Sequence, residues 1–314
     1  MRITNQGILQ NYLTNLNRNL ENMSVYQNQL SSGKEISRPS DDPFAVTRTM
    51  SLTTSIHQNE QHLQNIEDAM DWVDMSDSAM DSIGSAMNRL RELVLEGANG
   101  TNDGSAEDAI SDEVKQIVSQ LAQLGNTNYD GRYIFGGQET TKPPFRVDEN
   151  GMLYYDGAEG AGETMLSREI SQDVVIEINV PGIWIMNGKN GEFSETSDPA
   201  DFSNTLAGTL TDILKALEEG DVEALGGKLL EQIDGHIDNM LSIRSELGAK
   251  SNRLDAAKKK NEEESFNMTK MKSKTEDIDF AEKIMQYMTM TNVYVASLSV
   301  GAKILQPTIL DFLK

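Results

Sequence analysis

The chain has 314 residues, with 50 Asp and Glu against 27 Lys and Arg, a formal net charge of −23, and no cysteine. Its length supports roughly two or three domains with a sizeable core, and the absence of cysteine excludes disulfides, thiolate catalysis and Cys-ligated metals. A polyanion repels phosphates, so nucleic-acid binding is disfavoured. No window approaches about 18 apolar residues, so neither a transmembrane helix nor a membrane partner is expected.

The opening MRITNQGILQ carries no basic patch followed by an apolar run. No secretory signal peptide is predicted, so the protein is expected to be cytoplasmic or to leave the cell by a route that reads something else. From Leu9 onward, Leu13, Leu16, Leu20, Met23 and Leu30 recur at alternating steps of four and three, with Gln27 in the skipped position. That is the a/d spacing of a coiled coil, on a surface otherwise rich in Asn, a poor helix former. LSSGKEISRPSDDPFAV (30–46) then interrupts the pattern. Asp42-Pro43 reads as a helix restart, with aspartate as N-cap and proline at the first helical position.

A second seam runs through Ile56, Leu63, Ile66, Met70, Val73, Met80, Met87, Leu90 and Val94, weakened where Asp77 and Gly84 fall on it. GANGTNDGSAED (97–108) ends that helix, and Ile110, Val114, Ile117, Leu121 and Leu124 mark the next. Beyond Gly125 the period changes. Phe145 and Val147, then Leu153 and Tyr155, flank Asn150-Gly151 and predict a hairpin; Val174, Ile176, Ile178 and Val180 alternate as a half-buried strand. Helical spacing returns with Leu206, Leu210, Ile213, Leu214 and Leu217, ending at Gly220, and then with Leu230, Ile233, Ile237, Met240, Leu247 and Leu254. Lys258, Lys259 and Lys260 precede Glu262, Glu263 and Glu264 by four residues, i,i+4 pairs on a solvated helix. A last seam uses Ala281, Ile284, Met288, Val295, Leu298, Ala302 and Leu305, with Thr291 on it, and Pro307 stops it.

No nucleophile–base constellation is legible, and neither a metal nor a cofactor is expected. His57 and His62 are five residues apart, off a common helix face, and all three histidines, His236 included, read as solvated helix positions. GAEGAGE (157–163) lacks the lysine of a phosphate loop, and VDENG (147–151) has too few ligands for calcium. The fold class is mainly α: long terminal coiled-coil helices, an α-helical rod and a small β-rich insert. The expected division is 1–42 with 273–314 as an axial layer, 43–135 with 200–272 as the rod, and 136–199 as the insert.

LSSGKEISRPSDDPFAV (30–46) resembles the N-terminal segment of the bacterial flagellin family, in which an LSSGxxI stretch runs into an Asp-Asp-Ala helix start. RSELGAKSNRLD (244–255) is similar to the family's R-x-x-LGA-x-x-N-R-L element, and EDIDFAEKIMQYMTMTNVYVASLSVGAKILQPTILDFL (276–313) to its closing helix and apolar tail. The RPSDDP form, YDGRYIFGG (129–137) and Pro307 are closer to the family's hook–filament junction branch, and Pro43-Phe44 stands where flagellins carry Ala-Ala.

The resemblance implies a non-enzymatic adaptor, or alternatively a flagellin, whose terminal helices fold against neighbouring subunits. Its implied partners are flagellin, a hook-side junction protein (hook-associated protein 1), copies of itself in a ring, and an export chaperone on the C-terminal helix. The implied location is the extracellular flagellum. Leu9, Leu13, Leu16, Leu20, Met23, Leu30, Ile284, Met288, Val295, Leu298 and Leu305 would form the assembly seam, and Gly33, Arg38, Pro39, Asp41, Asp42 and Pro43 the spoke between layers. A cytoplasmic coiled-coil adaptor is the alternative from a different class.

Overall fold

The structure, a computed structural model, describes residues 5–36, 38–99, 104–148, 151–157, 165–188 and 204–304. The described elements are α1 (Asn5–Ser32), α2 (Pro43–Gly97), α3 (Gly104–Gly125), β1 (Asn128–Tyr129), β2 (Arg132–Tyr133), β3 (Phe145–Val147), β4 (Leu153–Tyr155), β5 (Ser167–Ser171), β6 (Val174–Glu177), α4 (Gly182–Asn187), α5 (Leu206–Glu219), α6 (Val222–Ala224), α7 (Leu230–Glu276) and α8 (Phe280–Ile304). A π-helical turn, Leu225–Leu229, joins α6 to α7. The architecture is mainly α with a small β insert. The chain divides into two compact units, Met1–Asn59 with Glu263–Lys314, and Glu60–Glu262. The divisions fall inside α2 and α7.

In the unit Glu60–Glu262, Ile66, Val73, Met80, Met87, Leu90 and Val94 of α2 are buried together with Val114 and Val118 of α3, Leu210 and Ile213 of α5, and Ile233 and Leu247 of α7. Burial of each such side chain is worth about 1.5–3 kcal/mol, so this interior dominates the unit's stability. Asp77, the acidic residue on the seam, is half-buried and ion-paired. It takes the Nε–H of Arg244 at 3.0 Å, and Arg244 Nη1 also reaches Asp81 at 2.6 Å. The hydrogen bond to Asp77 raises the Arg244 pKa above its ordinary value. Lys258 bonds Glu67 on α2 at 2.8 Å, and Arg91 bonds Asp234 at 2.5 Å. These partly exposed pairs add little energy each, but their order, 67 with 258, 77 with 244 and 91 with 234, fixes α2 and α7 as antiparallel neighbours in this unit.

His236 is a correction to the sequence reading. It is 1% exposed, with Nε2 3.2 Å from Thr209 Oγ1. Its spacing from Ile233 and Met240, three and four residues away, puts it on the apolar stripe of α7.

The β segment consists of three antiparallel two-stranded ladders. β1 and β2 are joined by Asp130-Gly131, both at positive φ (49° and 77°), as a tight two-residue hairpin requires. β3 pairs with β4 through Phe145↔Tyr155 and Val147↔Leu153, which is the hairpin the alternation predicts. Gly151 has φ 80°, and Met152 N–H donates to Asp148 Oδ1 at 2.8 Å. Asn150 lies outside the described residues. Ile176, Ile178 and Val180 are buried, whereas Val174 is exposed beside the turn at Asp173. Phe145, Leu153, Ile170 and Ile176 belong to the same hydrophobic core as α2, α3 and α5, so the insert shares an interior with those helices.

Candidate assembly surface

The unit made from the two ends of the chain is built on α1 and α8. Tyr12 Oη–H donates to the Ser297 carbonyl at 3.1 Å, Thr291 Oγ1 lies 3.8 Å from Met23 Sδ, and Lys283 Nζ sits 5.7 Å from the Tyr26 ring centroid. The descending partner numbers make the two helices antiparallel. Their contact face is Leu9, Tyr12, Leu16, Asn19, Met23, Tyr26 and Leu30 against Lys283, Tyr287, Met290, Thr291, Tyr294 and Ser297, all half-buried, with Gly301 buried against Tyr12. Gly301 carries no Cβ, which leaves room for the Tyr12 hydroxyl. Lys283 Nζ also reaches Glu35 Oε1 at 3.1 Å.

The end of α1 is tied to the start of α8. Gly33 adopts φ 71° as the left-handed residue after the helix, its N–H donating to Gln29 O at 2.8 Å. Glu35 N–H donates to Glu276 O at 2.7 Å, Ile278 N–H to Gly33 O at 3.2 Å, and Lys34 pairs with Glu276. Beyond that staple, Arg38 N–H donates to Asp41 Oδ2 at 3.0 Å, and Asp42 Oδ1 accepts from Phe44 and Ala45 N–H at 3.0 and 3.1 Å. Asp42 is therefore the N-cap of α2, with Pro43 at its first position. Arg38, Pro39, Asp41, Asp42 and Pro43 are exposed, and Gly33 is half-buried.

The seam positions read from the sequence separate into two groups. Leu9, Leu16, Met23 and Leu30 are half-buried on the α1–α8 contact face. Leu13 and Leu20 on α1 are exposed, as are Ile284, Met288 (61%), Val295 (56%) and Leu298 on α8; Leu305 lies outside the described residues. At about 100° per residue, Leu13 and Leu20 fall to one flank of the contact face of α1, and Ile284, Met288, Val295 and Leu298 to one flank of that of α8. In an antiparallel pair these flanks lie on the same side, giving one exposed apolar ridge without a partner among the described residues. Val25, Met285, Val293 and Val300 are further exposed apolar positions that the single-stripe reading missed. The signal was present in FAEKIMQYMTMTNVYVASLSVGAKI (280–304): a helix apolar on nearly every face belongs in a buried setting.

The two ends of the chain thus build one helical pair, with apolar side chains exposed on its flank. Residues 3–140 match the bacterial flagellin N-terminal helical region, and residues 230–313 the bacterial flagellin C-terminal helical region. The chain belongs to the bacterial flagellin family. It is similar to flagellar hook-associated protein 3 of Escherichia coli (strain K12), with 26% identity over 307 residues that cover 95% of each chain. It is also similar to flagellin of Bacillus subtilis (strain 168), with 22% identity over 299 residues, 93% of this chain and 92% of that one. Among solved structures, flagellar hook-associated protein-3 of Legionella pneumophila superposes with a TM-score of 0.59 at 16% identity, covering 72% of this chain and 98% of that one.

Proposed function

We propose that this chain is the structural adaptor that joins the flagellar hook to the flagellin filament, acting by packing rather than by catalysis. The observation that carries the proposal is the exposed apolar ridge on α1 and α8, in a chain similar to hook-associated protein 3 over nearly its whole length. The α1–α8 contact face is partly polar, using Asn19, Lys283, Thr291 and Ser297. Ordering the backbone costs about 1–2 kcal/mol per residue, so such a face alone holds the pair only marginally. Neighbouring subunits add the burial of Leu13, Leu20, Ile284, Met288, Val295 and Leu298. The terminal helices then fold on assembly, and the chain alone is a precursor.

On this reading residues 1–42 and 273–314 form the axial layer, 43–135 with 200–272 the helical rod, and 136–199 the outward insert. Gly33 to Pro43 forms the spoke between them. The neighbours are flagellin on one side, hook-associated protein 1 on the other and further copies in a ring. An export chaperone covers α8 before assembly.

Replacing Leu298 with Asp tests the ridge. The variant is expected to lose assembly into flagella while Glu60–Glu262 keeps its thermal unfolding transition. Loss of that transition in the variant would show that α8 stabilises the other unit and is not an assembly surface. A second reading, a flagellin subunit of the filament itself, is supported by the similarity to the Bacillus subtilis protein over most of both chains.

A further inference from the structure

We infer that copies of this chain join head to tail through a knob on one side of α2 and a cleft on the other: Phe44, with the carboxylates of Asp41 and Asp42, enters the basic-apolar cleft beside Arg38 and Lys272 of a second copy. This rests on the assembly role proposed above and names the contact that builds it.

The cleft has a volume of about 440 Å³, its lining including Pro39, Val46 and Met50 on the apolar side and Lys34, Arg38 and Lys272 on the polar side. Binding clefts typically span about 300–1,000 Å³. Among the lining residues three cations stand against one carboxylate, Glu276, which Lys34 already engages. The cleft is therefore net basic and suits an apolar group flanked by acids.

The chain carries such a group. Phe44 is 80% exposed, the most exposed large apolar side chain among the described residues. Asp41 and Asp42 precede it and are held in place by the Arg38, Phe44 and Ala45 amides. The knob is thus a phenyl ring beside two fixed carboxylates.

Helix geometry decides between filling the cleft from within and from outside. Val46, Met50 and Thr53 of α2 line the cleft, and Phe44 lies about 150° around the helix from their mean direction. Knob and cleft occupy opposite sides of the first turns of α2, so Phe44 cannot enter the cleft of its own chain. A second copy can supply it, and the same contact remains free at each end of the pair. Two different patches meeting in this way form a heterologous interface, which closes a ring or propagates a helix. Opposite charges on the two patches favour this register over knob against knob.

The absence of cysteine makes the test direct. Arg48 lies one turn beyond Phe44 on the same side of α2, and Thr54 lines the cleft. Arg48→Cys and Thr54→Cys, six residues apart, stand about 9 Å apart along the helix, beyond the roughly 7 Å Cα limit of a disulfide. Any disulfide in the full-length double variant therefore joins two copies. Oxidation under assembling conditions, followed by non-reducing electrophoresis, is expected to give a ladder. The two single variants mixed should give a dimer, each alone little product, and Phe44→Ala added to the double variant at least about tenfold less. A ladder that survives Phe44→Ala, or single variants that dimerise as well as the mixture, would overturn the inference. So would sedimenting assemblies that give no ladder, and this last result would leave the wider assembly role standing. Failure to sediment as well as to cross-link would count against both.

Discussion

At His236 the imidazole Nε2 lies 3.2 Å from Thr209 Oγ1 inside the core, and burial pushes its pKa down from 6.5 to about 4. The folded state therefore binds a proton less readily than the unfolded chain. Its contribution is fully present above pH 6.5 and is lost as pH falls through about 4, in total about 3 kcal/mol. The melting temperature of the chain is expected to drop between those two pH values, and His236→Gln, which retains a partner for Thr209, to flatten that part of the profile. Circular dichroism melts decide the point; an equal slope in the variant would assign the acid sensitivity to other groups. The helix restart was legible because Asp42 caps a turn two and three residues away, and capping is local chemistry. The burial of His236 was not, since Thr209 comes from a distant part of the chain. Its spacing from Ile233 and Met240 was the clue available.

Among the elements, α2 and α7 show how far periodicity reaches. Met80, Met87, Leu90 and Val94 repeat at helical spacing, and all are buried. Met87→Ala is expected to cost about 2–5 kcal/mol, measurable as a lower denaturation midpoint with an unchanged slope. A loss below about 0.5 kcal/mol would show that α2 does not pack as described. Periodicity failed to choose between neighbouring registers in α1. Leu9, Leu16 and Met23 are fixed at intervals of seven, and either Leu13 and Leu20 or Tyr12 and Asn19 can complete the 3–4 pattern. Within the single chain the contact face takes Tyr12, Asn19 and Tyr26; α8 meets Tyr12 with Ser297 and Gly301, and Tyr26 with Lys283. Hydrophobicity alone favours the leucines, which are left on the flank. In the β segment, alternation and turn residues located the hairpin of β3 and β4, but the shared core of Phe145 with α2 and α3 is tertiary and leaves no local trace.

Across the whole molecule the charge is divided. Residues 1–59 and 263–314 hold eleven Lys and Arg and eleven Asp and Glu, so the entire formal −23 belongs to residues 60–262. The part built from the two ends carries no net charge to oppose its packing, while the rest repels other copies and keeps the free chain dispersed. Raising ionic strength from about 0.1 M to about 1 M shortens the Debye length from about 10 Å to about 3 Å, and buried contacts are screened much less. Self-association, followed by sedimentation, is expected to strengthen over that range; weakening would mean that long-range attraction holds the copies together.

The position of the protein in the cell tests the junction role most directly. Antibody to residues 140–188, visualised with gold on whole flagellated cells, is expected to give a single band where the hook meets the filament. Gold along the whole filament would contradict a junction role and make this chain a flagellin, and gold found only inside permeabilised cells would contradict both.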